Sequence, residues 1–169
     1  MRAVVDTNVA VVANGKSPQA SSACVVRCAT RLNEVVKHGK LIIDDKWLIL
    51  REYKQNLRQS GQPGVGDAFL KWVLTNYKNS DRCELVPITP RNVELTDFEE
   101  FPRTPDLAGF HSDDRKFVAV AMAHPQHPPI LQAVDAEWWE LRDHFTEAGV
   151  TVDFLCPDDI RAISERARD

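Results

Sequence analysis

Short apolar runs alternate with amphipathic stretches along the chain. Arg2 to Val5 is a β-forming run that ends at Asp6, and its lack of polar alternation suits a strand buried on both faces. Pro18 sits in or just before the first turn of a helix predicted over about residues 19–38, which Gly39 stops. Leu41 to Ile43 is a second apolar run. Asp44 or Asp45 then caps a helix over roughly 46–59, closed by Gly61-Gln62-Pro63-Gly64. Phe69, Leu70, Val73, Leu74 and Tyr77 form the stripe of a further helix over 67–78.

The second half repeats the alternation after an interruption. A short strand fits residues 83–89. Residues 87–111 carry no clear period and are broken by Pro87, Pro90, Pro102 and Pro105, so they read as an irregular insertion or loop. Ser112 is the expected cap of a strong helix over 113–123. Ile130 to Val134 is a third apolar strand ending at Asp135, and 136–148 is helical until Gly149. Thr151 to Leu155 alternates and is expected at a sheet edge; a short polar helix or tail follows over 156–169. Strands alternating with helices predict an α/β domain over 1–155 with a mostly parallel sheet. Sites in such sheets lie beyond the carboxyl ends of the strands.

Composition narrows the reading. The chain has 169 residues, 43% hydrophobic and 27% charged, which excludes disorder and collagen-like repetition. No apolar run approaches the roughly 18 residues that cross a bilayer, and Val9 to Ala13 is too short for a secretion signal, so a cytoplasmic protein without a membrane partner is expected. The four cysteines, Cys24, Cys28, Cys83 and Cys156, match no zinc spacing and are expected as free thiols packed in the core. The net charge of -4 means that a polyanionic substrate needs a local basic patch or a bound metal.

The carboxylates are the candidate chemistry. Asp6 and Asp135 each end a strand, although each also suits a turn or a helix cap. Asp114 lies four residues before Val118 and seven before Ala121, within the apolar stripe of its helix, where an unpaired charge is expensive. Asp113 points about 100° away and suits a surface or supporting role. Glu52 flanks the stripe of the 46–59 helix and, taken alone, is an ordinary solvated carboxylate. Four such groups converge only if cations neutralise them, since two unit charges ~4 Å apart repel by about 4 kcal/mol at an effective dielectric of 20. Oxygen ligands select Mg²⁺ or Mn²⁺. Lys16, Arg103, Arg115 and Lys116 are the nearby cations that can hold phosphates. His124 and His127 lie in a proline-rich turn with no further zinc ligands, and Trp138-Trp139 is better suited to packing than to stacking bases.

These pieces in order resemble the PIN domain (PilT N-terminus), a family of metal-dependent nucleases. The resemblance rests on Val4-Val5-Asp6-Thr7-Asn8, Arg51-Glu52-Tyr53-Lys54-Gln55-Asn56-Leu57, Asp113-Asp114-Arg115-Lys116-Phe117-Val118-Ala119-Val120-Ala121 and Ile130-Leu131-Gln132-Ala133-Val134-Asp135. It implies a parallel sheet of about five strands flanked by helices, with an acidic site at the carboxyl edge. Asp6, Glu52, Asp114 and Asp135 match the family's acidic positions and are the implied catalytic and metal-holding residues, for Mg²⁺ or Mn²⁺. Thr7 and Asn8 match the polar residues after the first aspartate, and Glu137 matches the position two past the last. Asp113 and Lys116 complete the expected substrate-side and supporting set. Ala133 departs from the usual Thr or Ser. The implied activity is endoribonuclease, either as the toxin of a toxin–antitoxin pair with a small antitoxin partner or as a free enzyme, and a homodimer is compatible with either. The alternatives are a catalytically weak RNA- or protein-binding module and a DNA-directed nuclease.

Overall fold

The computed structural model describes all 169 residues. Its core is one five-stranded sheet, all parallel, in the order β3-β2-β1-β4-β5. The strands are β1 (Arg2–Val5), β2 (Lys40–Asp44), β3 (Cys83–Val86), β4 (Ile130–Gln132) and β5 (Val152–Phe154). The predicted α/β class and the edge position of β5 are therefore found. β1 is central: Ala3, Val4 and Val5 are fully buried, which explains why the run lacks polar alternation.

The helices are α1 (Thr7–Ala13), α2 (Ser22–His38), α3 (Leu48–Asn56), α4 (Val65–Asn76), α5 (Arg115–Ala123), α6 (Ala136–Glu140), α7 (Arg142–Glu147) and α8 (Pro157–Arg166). Asp44 caps the entry to α3, its carboxylate accepting from the N–H groups of Lys46, Leu48 and Ile49 at 2.9 Å each. α4 meets α1 at backbone distance. A Cβ on Gly66 would sit 2.1 Å from the Ala10 carbonyl oxygen, so only glycine fits there.

Several expectations are corrected. α1 is a helix, not merely an apolar stretch. Its Val-rich sequence is a weak helix former, and packing against α2 and α4 outweighs that propensity. α2 begins at Ser22, after Pro18, because the Ser21 hydroxyl accepts from Cys24 N–H at 3.2 Å. The cap before α5 is not Ser112. The His111 imidazole Nδ1 accepts from Asp113 N–H, a 3-10 turn covers Ser112–Asp114, and α5 follows at Arg115. The single helix predicted over 136–148 divides at Leu141 into α6 and α7.

The cysteine expectation also changes. Cys24 and Cys156 form a disulfide, while Cys28 and Cys83 are free and buried. Cys28 Sγ lies 4.0 Å from Cys156 Sγ, and burial pushes its thiol up to about 12. The bridge fastens the start of α8 to α2. Asp159 adds to it, accepting from Ser21 N–H at 2.7 Å and from the Ser21 hydroxyl at 3.1 Å. Ile160 and Ile163 of α8 are buried against the rest of the molecule. No helix is long and apolar enough to cross a membrane.

The irregular stretch before α5 is anchored by aromatic side chains. Phe98, Phe101 and Phe110 are buried, and Phe110 packs edge-on against Trp138 and Phe145. Arg115 reaches back from α5 into this stretch. It donates to the Ala108 and Phe110 carbonyls, pairs with Asp97 at 3.1 Å and lies over the Phe101 ring. Arg103 also turns to Asp97. These two arginines hold the loop.

Candidate functional site

β1 and β4 are adjacent and parallel, with Val4 opposite Ile130 and Val5 opposite Leu131. Asp6 follows β1 directly, and Asp135 follows β4 by three residues. Both are helix caps: Asp6 accepts from Asn8 N–H at 3.0 Å and Asp135 from Glu137 N–H at 3.1 Å. Capping uses one oxygen of each carboxylate. Asp114 enters from the 3-10 turn before α5, and Glu52 from the second turn of α3.

Mutual electrostatics tie the four together. Asp6 is buried and its carboxyl is pushed well above the usual range by desolvation and then by the charge of Asp114, with Glu52 and Asp135 adding to it against the Asn8 N–H. Asp114 is pushed up to about 7 by desolvation, Asp135 and Glu52, with Lys116 and His111 opposing. Asp135 is raised chiefly by desolvation, opposed by the Glu137 N–H, His111 and the carboxyl of Asp114. No three of these carboxylates bring oxygens within 4.8 Å of one another; the one trio of ligand-type atoms that close is the sulfurs of Cys24, Cys28 and Cys156, two of which are bonded to each other. The acidic residues thus form one electrostatic neighbourhood without closing into a cage.

The polar residues around them fix orientation. Glu52 accepts from the Thr7 hydroxyl and from Lys116 Nζ, the latter at 2.9 Å, and Lys116 also donates to the Asp113 carbonyl. Asp113 itself points its carboxylate to solvent, in keeping with the helical phase that separated it from Asp114. Asn8 Oδ1 accepts from Ala133 N–H at 3.0 Å, and Glu137 Oε1 accepts from His111 N–H at 3.0 Å, tying α6 to the turn that carries Asp114. The expected supporting residues Thr7, Asn8, Lys116 and Glu137 are therefore all engaged at this edge of the sheet. Lys16 is not: it is exposed beyond the far end of α1, about 10 Å of helix away from the Asp6 cap.

Sequence reasoning missed Gln132 and Tyr53. Gln132 is fully buried at the end of β4. Its amide donates to Asp6 Oδ2 at 2.8 Å, and its Oε1 accepts from Asn8 Nδ2 and from Ala133 N–H at 3.0 Å. The available signal was a lone amide inside an otherwise apolar strand run. The buried Tyr53 hydroxyl donates to the Val5 carbonyl at 2.6 Å and fixes α3, hence Glu52, against the end of β1. Beside the acidic residues lies an open cavity of about 260 Å³ whose walls include Arg51, Glu52, Thr96, Asp113 and Lys116.

Comparison with known protein families, curated proteins and solved structures returned no match.

Proposed function

We propose that the chain is a Mg²⁺- or Mn²⁺-dependent endoribonuclease of the PIN type. The observation that supports this reading is the uncompensated charge at the ends of β1 and β4. Desolvation raises the carboxyls of Asp6, Asp114 and Asp135; the charges of Asp114 and Asp135 add to the rise at Asp6, and that of Asp135 adds to the rise at Asp114, where Lys116 opposes it. A folded chain keeps such an arrangement at a cost, and a hard divalent cation removes that cost. The donor set fits: it offers carboxylate oxygens and no sulfur or imidazole directed at the same point. Mg²⁺ keeps much of its hydration and takes few protein ligands, so it needs no closed cage of carboxylates.

In this reading Asp6, Asp114 and Asp135 hold the cation, and Glu52 holds it or orients the attacking water. When bound, the cation supplies positive charge for the scissile phosphate and acidifies a water for in-line attack. The remaining roles belong to the chain's own groups. Gln132 and the Asn8 N–H fix both oxygens of Asp6. Thr7 and Lys116 fix the two oxygens of Glu52. Tyr53 sets the distance between α3 and β1. Cytoplasmic location, an antitoxin partner and a homodimer remain part of the same proposal.

A second reading has specific support. Lys116 already neutralises Glu52, and Ala133 supplies no hydroxyl where the family usually has one. Both features suit a catalytically weak module that binds RNA or protein. Incubation of a mixed-sequence single-stranded RNA with the protein in Mn²⁺, Mg²⁺ or EDTA, beside Asp114→Asn, separates the two. The nuclease reading expects cleavage that needs metal and is lost in the variant. Intact RNA in all three conditions favours the binding module.

A further inference from the structure

A groove adjoins the acidic residues on the outer side of α3 and differs from them in chemistry. It encloses about 450 Å³, and its walls are Trp47, Arg51, Lys54, Tyr77 and Lys78 over a floor of Leu50 and Leu74. Arg51 also lines the cavity that contains Glu52 and Lys116, so the two depressions share a wall. Arg51, Lys54 and Lys78 are exposed, and none is within salt-bridge distance of a carboxylate, unlike Lys116 on Glu52. Three free cations in one groove stand out on a chain of net charge -4.

The aromatic pair gives the groove a second property. Trp47 is 37% exposed and meets Tyr77 edge to face at 5.2 Å between ring centroids. Lys78 Nζ lies 5.5 Å from the Tyr77 ring centroid. Trp47 also holds a left-handed backbone conformation at φ 65°, which is rare for a bulky residue. That conformation turns the chain from β2 into α3 and projects the indole over the groove instead of into the core. An exposed ring next to free cations suits a ligand with flat π faces and negative charges at intervals.

We infer that this groove is the binding track for single-stranded RNA entering the acidic site, with a base stacked on Trp47 or Tyr77 and phosphates on Arg51, Lys54 and Lys78. The inference rests on the nuclease reading for the direction of the strand, because the shared wall at Arg51 leads a backbone from the groove towards Glu52. Stacking on an aromatic platform tolerates every base, so the track confers affinity with little sequence preference. It also supplies the local basic patch that the acidic chain as a whole lacks.

The test measures binding apart from cleavage. A fluorescein-labelled 12-nucleotide mixed-sequence RNA is titrated with protein in EDTA, and anisotropy is read across a salt series, with DNA of the same sequence alongside. Wild type is expected to bind, with log affinity falling against log salt at a slope of about -2 if three phosphates are engaged. Lys54→Glu/Lys78→Glu changes only exposed side chains. It is expected to weaken binding at least about tenfold and to reduce the slope by about 1.4. Trp47→Asn keeps a residue that tolerates the left-handed conformation and is expected to cost about tenfold through lost stacking, with most of the RNA-induced tryptophan quenching gone. Unchanged affinity and slope in both variants overturn the track, as does absence of RNA binding by wild type. Tighter binding of DNA than of RNA overturns the assignment of RNA as occupant. The Mn²⁺-induced melting shift, measured on the same proteins, depends on the carboxylates and not on the groove. Its loss in wild type would count against the metal site and leave the groove result standing.

Discussion

Replacing Asp114 by Asn is expected to stabilise the metal-free protein, and the effect has a defined pH signature. The side chain titrates at about 7 in the folded chain, against the ordinary 3.8. Between those limits the unfolded chain has lost this proton and the folded chain keeps it, so stability falls as pH rises from ~4 to ~7 and levels off above. The full gap corresponds to about 4 kcal/mol at roughly 1.4 kcal/mol per pH unit. Partial exposure and relaxation reduce this to about 1–2 kcal/mol. In EDTA, Asp114→Asn should therefore exceed wild type by well under ~1 kcal/mol at about pH 5 and by about 1–2 kcal/mol at pH 8, the latter roughly 2–8 °C in melting temperature for a chain of this size. Adding Mg²⁺ or Mn²⁺ at pH 8 should reverse the order, since saturation at 100 times the dissociation constant adds about 2.7 kcal/mol to the protein that binds. The assay is thermal or urea unfolding at pH 5 and pH 8, with and without metal. A variant that is less stable than wild type at pH 8 in EDTA, or a difference that does not change with pH, refutes the electrostatic reasoning.

Other parts of the structure make separate predictions. Gln132→Leu removes the buried amide that fixes Asp6 and orphans Asn8 Nδ2, while Ala133 N–H keeps its bond to Asn8 Oδ1; it should cost about 1–3 kcal/mol in chemical denaturation and lower RNA cleavage more than RNA binding. Asp67 is buried, which raises its carboxyl, but the N–H groups of Arg58 and Gly64 and the Asn14 amide outweigh burial and hold it below the ordinary range. Asp67→Ala should cost about 2–3 kcal/mol at pH 7; because the folded value is lowered, that difference should be present above the ordinary carboxylate range and shrink as pH falls below ~4, as read by urea unfolding across pH. Reducing the disulfide that links Cys24 to Cys156 across 132 residues should lower stability by up to about 5 kcal/mol on the chain-entropy model, and a melting temperature unmoved by reductant would show that α8 holds by packing alone. Lys116→Met should leave the fold intact and raise the pH midpoint of Asp114, because the ammonium opposes its protonation; direct carboxyl titration by NMR reads that change.

What was legible in the sequence followed from local periodicity. Asp114 was recognisable because the 3.6-residue stripe of Phe117, Val118 and Ala121 included it and left Asp113 outside, and Asp6 because an apolar run ended at a charge. Contacts between distant segments left no such mark. Gln132 gains its meaning from Asp6 and Asn8, more than a hundred residues away. The disulfide joins cysteines whose spacing resembles no motif. α1 was hidden because valines favour strands and only the packing of α2 and α4 makes a helix of them. Arg115 was legible as a charge beside Asp114 but not as the anchor of the Phe98–Phe110 loop, since that role depends on where the loop's carbonyls fall. Trp47 gave no signal in the sequence that its backbone would be left-handed.

The central claim, hydrolysis of RNA by metal-activated water at the Asp6, Asp114 and Asp135 carboxylates, is tested most directly by the chemistry of the product ends. Single-stranded RNA is incubated with wild type and with Asp114→Asn in Mn²⁺ and in EDTA, and the termini of any fragments are identified by mass spectrometry. The account predicts fragments only with wild type and Mn²⁺, ending in a linear phosphate and a free hydroxyl, because water is the nucleophile. Fragments bearing 2′,3′-cyclic phosphate, or fragments of any kind formed in EDTA or by the variant, would contradict it.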